Sequence, residues 1–247
     1  MKNVFKKAAL AAALTGAAFA ANAAPIIGLF NFTVGSVIVS FGNVDWNNVT
    51  SNINPPPNLA NRTYGDFEIT SGATGSFAVI PVGSLVGKLQ DLSNNQADKN
   101  YVPLGSSLPT GVPGFLQFFS QPNWLFTETF LSSGTLSGTP YILTEINTGF
   151  GTNVSATIAA SGVACDTGLD AICDLTDSKT NWTGIFSAQY TNTTISALTT
   201  TILNGQSLAN NAWSGTFEAR AIPEPGSIAL LGLGLVGLAA VRRRKSV

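Results

Sequence analysis

Trp213-Ser214-Gly215-Thr216-Phe217-Glu218-Ala219-Arg220-Ala221 places an apolar residue or glycine at every second position, with polar or charged residues between. A period of two belongs to an extended strand, whose side chains point alternately to opposite faces. Stretches that alternate in this way, or are rich in β-branched and aromatic residues, recur at 36–41, 66–70, 75–80, 114–119, 124–131, 141–146, 154–159 and 184–190. Turn-forming clusters separate them at 52–58 (with three prolines), 94–100, 105–113 and 132–140. Residues 195–203 predict one short helix before the last strand. Many short strands at this spacing predict an all-β domain, an antiparallel sandwich or jelly-roll-like fold. No repeat and no long linker divides residues 24–222, which read as one domain.

The composition agrees. Charged residues make up only 10% of the 247, and Gly, Ser, Thr and Asn are abundant, which suits strands joined by polar turns. About two hundred residues are enough for one all-β domain with a real core. The net charge of −1 hides an asymmetry, because both ends are basic. Between Ala24 and Ile222, five cations face twelve anions, leaving −7. Such a body lacks the basic footprint of a nucleic-acid binder. The chain has no histidine, which excludes His-based dyads and triads and removes the commonest metal ligand. No cofactor is indicated.

The start of the chain reads as an export signal. Lys2, Lys6 and Lys7 precede an uncharged apolar run at 8–20, and Ala21-Asn22-Ala23 supplies small residues where a signal peptidase reads. Cleavage is expected after Ala23, because cleavage after Ala24 would put Pro25 beside the cut. The expected segments are a signal helix over 1–23, an extracytoplasmic β-rich domain over 24–222, and a tail over 223–247.

That tail begins with Pro223-Glu224-Pro225-Gly226, continues through an apolar run, and ends in Arg242-Arg243-Arg244-Lys245. The two prolines stop any regular element. Residues 227–241, as a helix rising about 1.5 Å per residue, reach roughly 22 Å. A bilayer core needs about 30 Å. The basic cluster stays cytoplasmic under the positive-inside rule, which leaves the body on the outer face. That topology agrees with the N-terminal signal. A helix that barely spans, after a breaker and before a basic stop, has the form of a transient processing signal.

In all three parts, over about twenty-five residues, this tail closely resembles the PEP-CTERM sorting signal. The resemblance implies export by a Gram-negative bacterium and an inner-membrane intermediate held by the C-terminal helix. An exosortase-type processing enzyme would recognise Pro223, Glu224 and Pro225 and cut nearby. It further implies a mature protein at the cell surface or in the extracellular matrix, linked to exopolysaccharide and biofilm. Gly232, Gly234 and Gly237 also match G-x-G-x-x-G, but the ten residues that follow cannot supply the βαβ unit a dinucleotide site requires.

Within the body, Cys165 and Cys173 are expected to form a disulfide in an oxidising compartment. The nine-residue loop they close would contribute roughly 2–3 kcal/mol by restricting the unfolded chain. Asp166, Asp170, Asp174 and Asp177 gather there, as a solvated acidic turn or as weak oxygen ligands for Ca²⁺, although without EF-hand spacing. Trp46, Trp124, Trp182 and Trp213 suit either core packing or a sugar-stacking face. Glu68, Glu128 and Glu145 lie in strand-like stretches, where a glycan-active enzyme would need two carboxyl groups about 5–10 Å apart. No catalytic motif is present, so the leading expectation is a non-enzymatic structural or adhesive protein. A carbohydrate- or Ca²⁺-binding module is the alternative, followed by a carboxylate-based glycan-active enzyme.

Overall fold

The computed structural model describes residues 24–46, 62–97, 101–108, 111–149, 151–168, 173, 174 and 177–222. Its strands, in chain order, are β1 (Gly28–Ser40), β2 (Asn43–Asp45), β3 (Tyr64–Ser71), β4 (Leu85–Gln90), β5 (Leu92–Ser93) and β6 (Val112–Phe118). Then follow β7 (Trp124–Leu131), β8 (Ile142–Thr148), β9 (Gly151–Asp166), β10 (Thr180–Tyr190) and β11 (Leu208–Ala221). Helix α1 (Ile195–Leu203) falls where the sequence places it.

Eight strands form a ring in the order β1, β3, β4, β6, β7, β9, β10, β11, and β11 pairs back with β1. Every pairing is antiparallel. The fold is therefore all-β and antiparallel, as expected, but the expected sandwich or jelly roll is corrected to a barrel-like closed sheet. The pairing of β1 with β11, from Gly28 opposite Ala219 to Val39 opposite Leu208, removes the edges that a sandwich would keep. The long strands also fork at the other end. The later part of β1 pairs with β2, the earlier part of β9 pairs with β8, and β2 carries β5. The expected signal helix and C-terminal hydrophobic helix lie outside the described residues, among which no helix is long and apolar enough to cross a membrane.

Glycines set against large rings make the closed interior possible. Phe32 of β1, Gly215 of β11 and Phe186 of β10 stand opposite one another in neighbouring strands. One level along, Phe30 faces Phe217, which faces Gly184. Beyond that, Ala219, Trp182 and Gly162 form a third row across β11, β10 and β9. Each row puts a small residue beside a large one, so rings from adjacent strands interlock instead of colliding. A Cβ on Gly162 would lie 1.9 Å from the Thr127 carbonyl oxygen. Its absence lets the Trp182 indole lie across β9 and donate its Nε1–H to that same oxygen at 3.2 Å. Phe115 stacks on Trp182 from the facing wall, centroids 5.2 Å apart and planes 8° apart, and Phe217 stacks at 5.0 Å. An irregularity between Pro113 and Leu116 turns Phe115 inward.

The stretch 75–80, expected as a strand, forms a 3-10 turn (Gly75–Val79) instead. Gly75 adopts φ +58°, which ends the extended run. The turn drives Phe77, fully buried, into the barrel mouth, where its ring meets Phe30 at 4.8 Å and Trp124 at 5.7 Å, both edge-on. All four tryptophans are buried in this core, with none presented as a sugar-stacking face. At the opposite end α1 closes the barrel with Leu198 and Ile202, which are buried four residues apart on one helix face. The Thr194 hydroxyl caps it by accepting from the Ala197 N–H at 3.2 Å.

Gly215 has no room for a side chain. A Cβ there would lie 2.5 Å from Cζ of Phe32 and 2.5 Å from the Ile185 carbonyl oxygen. Gly215→Val is expected to destabilise the barrel by about 2–3 kcal/mol through overpacking. Urea unfolding followed by tryptophan fluorescence measures this. An unchanged midpoint would contradict the interlocked-ring account.

Candidate functional site

The two ends of the described residues and the cysteine pair lie at one mouth of the barrel. β1 begins there, β11 ends there at Ala221, and β10 starts with Thr180 opposite Ala221. The Ile222 N–H donates to the Lys179 carbonyl oxygen at 3.4 Å. Just before β1, Ile26 is buried, and the Pro25 carbonyl oxygen accepts from the Ser76 hydroxyl at 3.5 Å. The entering and leaving segments are thus both tied to the folded domain, one residue short of Pro223 at the C-terminal end. Pro223, Glu224 and Pro225, the basic residues Arg242, Arg243, Arg244 and Lys245, and the cleavage residues Ala21 and Ala23 lie outside the described residues.

The cysteine loop hangs from the same mouth. Cys165, at the end of β9, is joined to Cys173 with Cα atoms 5.9 Å apart. Both sulfurs and an Asp177 carboxylate oxygen lie within 4.8 Å of one another, but disulfide sulfurs are not thiolate ligands. Asp166 Oδ1 accepts from the Gly168 N–H at 3.1 Å, and Asp177 Oδ2 accepts from the Asp174 N–H at 2.9 Å. Two of these aspartates thus brace turns locally. Asp170 lies outside the described residues, which gather no other group of three ligating side chains.

The three glutamates are not brought to one face. Glu68 alternates with the buried Phe67 and Ile69, so it sits on the outside of β3. Glu145 is exposed on β8, where its Oε2 accepts from the Ile195 N–H at 3.1 Å and holds the start of α1. A carboxylate at a helix N-terminus also complements the helix dipole. Glu128 lies two residues beyond the inward Phe126, on the same face of β7, and is itself fully buried. It stands opposite Gly162, next to the strand that carries Trp182.

Sequence reading did not find a polar cluster on β3, β4, β6 and β7. Arg62 Nη1 donates to Gln90 Oε1 at 2.7 Å and to the Pro113 carbonyl oxygen at 3.1 Å. Gln90 pairs across the sheet with Tyr64, and Asp66 with Lys88, which in turn faces Gln117 on β6. Asp66, Lys88 and Gln90 are all buried, unusual for such groups. The Tyr64 hydroxyl lies by Gln117 without well-formed hydrogen-bond geometry, and burial pushes its pKa up against the opposing pull of Arg62. Burial also pushes Asp66 up, with Lys88 pulling it back. Neither oxygen of Glu128 has a hydrogen-bond partner among the described residues. Burial holds its carboxyl well above the ordinary range, and the charge on Arg62 offsets this only partly.

A raised folded-state pKa means that the native protein keeps a proton the unfolded chain gives up. The resulting stability is complete below the ordinary glutamate value of 4.5 and is lost as the pH rises toward the folded value. Unfolding free energy should therefore fall as the pH rises above about 5, by up to about 1.4 kcal/mol per pH unit while Glu128 alone titrates, and the melting temperature should fall with it. Glu128→Gln is expected to flatten that slope, and Asp66 contributes what remains. A slope unchanged in the variant would refute the assignment. Cys173→Ser, measured under oxidising conditions, is expected to lose roughly 2–3 kcal/mol, matched by adding reductant to the wild type.

A family model described as the PEP-CTERM protein-sorting motif matches residues 221–245. The match begins at the last residue of β11, so the barrel's closing strand and the sorting motif abut. No curated protein and no solved structure matches the chain. The motif marks a protein that passes through the membrane and is processed by an exosortase. The chain carries the PEP-CTERM protein-sorting motif at residues 221–245, which implies an exported protein.

Proposed function

We propose that the barrel is the mature product delivered by this sorting route, acting at the cell surface or in the extracellular matrix of a Gram-negative bacterium as a structural or adhesive component in contact with exopolysaccharide. The observation that carries this reading is the abutment of β11 and the motif at residue 221: the strands of the described residues belong to one sheet whose closing strand ends where the motif begins. The tail would hold that domain against the membrane until an exosortase cuts near Pro223.

A non-catalytic role is favoured by the use of the interior. Interlocked rings fill it, and Glu68, Glu128 and Glu145 face in different directions. An acidic, histidine-free exterior is also compatible with binding neutral glycans or cations as a module, which makes matrix attachment and ligand binding two aspects of one role.

Intact mass of the protein recovered from the surface and medium of its native host tests the processing. The expected mass begins at Ala24 and ends near Pro223. A mass that retains the basic tail would make 227–241 a lasting anchor and overturn the sorting account. For the matrix role, deletion of the gene is expected to weaken aggregation and reduce bound polysaccharide. An unchanged matrix with accumulation of a small substrate would point to an enzyme instead.

A further inference from the structure

The loop that plugs the barrel mouth is apolar on both sides. Its inner side is Phe77. On its outer side Ala78, Val79, Pro81 and Val82 are exposed, followed by Leu85 at the start of β4, with Val79 67%, Val82 57% and Leu85 51% accessible. Ile27, 42% accessible, is stitched to the loop: the Ser76 N–H donates to its carbonyl oxygen at 2.7 Å and its own N–H donates to the Ser76 hydroxyl at 3.1 Å. No charged residue occurs between Glu68 and Lys88. The Thr74, Ile80 and Gly83 amides each donate to a backbone carbonyl, so these side chains are held outward by a fixed scaffold.

This rim belongs to the mouth from which the tail departs. Ser71 at the end of β3 stands opposite Asn31 near the start of β1, and β1 stands beside the end of β11. Only residues 222–226 separate the last strand from the apolar run that begins at 227. Fully extended, five residues reach at most about 17 Å. The mouth is therefore confined to the interfacial zone of any bilayer that the tail enters. Exposed Val, Leu, Ile and Pro side chains without charge are the chemistry of a surface that partitions into that zone. The acidic loop on the far side of the mouth, with Asp166, Asp174 and Asp177, disfavours anionic headgroups, so the surface suits a neutral one.

We propose that Ile27, Val79, Val82 and Leu85 form a lipid-facing rim that seats the barrel mouth-down on the bilayer while the tail is inserted. The proposal rests on the membrane-inserted tail of the preceding section and adds a second contact to it, which fixes the orientation of the domain that the processing enzyme meets.

The test uses the full chain with its disulfide intact, reconstituted into phosphatidylcholine vesicles. Single nitroxide labels are placed by Val79→Cys, Val82→Cys, Ile142→Cys at the opposite end, and Val236→Cys in the tail. The expected result is relaxation by oxygen exceeding relaxation by an aqueous nickel complex at 79, 82 and 236, and the reverse at 142. Labels at 79 and 82 in water with 236 in lipid would overturn the rim while leaving the tail reading intact. A label at 236 in water would overturn the tail reading itself. Spectral broadening at 79 that disappears on dilution with unlabelled chain would assign the rim to a second copy, also against the proposal. Val79→Asp/Val82→Asp, read by labels at Leu85→Cys, should return the rim to water without altering the far-ultraviolet circular dichroism spectrum. Dominance of oxygen relaxation persisting at 85 in that variant would count against it.

Discussion

Everything in this domain depends on the meeting of β1 and β11, strands nearly two hundred residues apart in the chain. Their ladder converts a row of strands into a ring, and the ring creates an inside that aromatic side chains can fill from every direction. Ring contacts at 5–6 Å link Phe30, Phe32, Phe67, Phe77, Phe118, Phe126, Phe186 and Phe217 with the tryptophans. Each favourable pair adds roughly 0.5–1.5 kcal/mol beyond burial. They exist only because Gly162, Gly184 and Gly215 leave space in the neighbouring strand, so the glycines are as much part of the core as the rings. Closure also charges a cost, because a contact between chain ends must overcome a long loop's entropy before it returns anything.

The period of two in 124–131 and 213–221 was legible because each strand faces the core on one side and water on the other. Strand β4 was not, because Lys88 and Gln90 are buried alongside Leu89, and a strand buried on both faces does not alternate. The 75–80 segment carries the aromatic and β-branched residues of a strand yet turns, because Gly75 has a left-handed backbone and Phe77 plugs the barrel mouth. Sandwich and barrel share the same local sequence, and only the non-local pairing of the ends distinguishes them.

The functional residues divided in the same way. The sorting motif was plain in the sequence because its information is linear: breaker, apolar run, basic stop. The cluster around Arg62 and Glu128 was hidden because it is assembled from four strands, each contributing residues that look like ordinary surface groups. Glu145 looked like a candidate acid and turned out to cap a helix. What a carboxylate does here is decided by which side of a strand it occupies and by what lies across the gap.

The pairing of first and last strands also sets a timetable. A polypeptide that crosses a membrane from its N-terminus delivers residues 208–221 at the end of the journey, and without them the sheet has an open seam. Until then the chain lacks its closing partner and can still be drawn through a narrow conduit. Topology thus acts as an interlock: the barrel can close only after β11, the last strand of the domain, has been delivered.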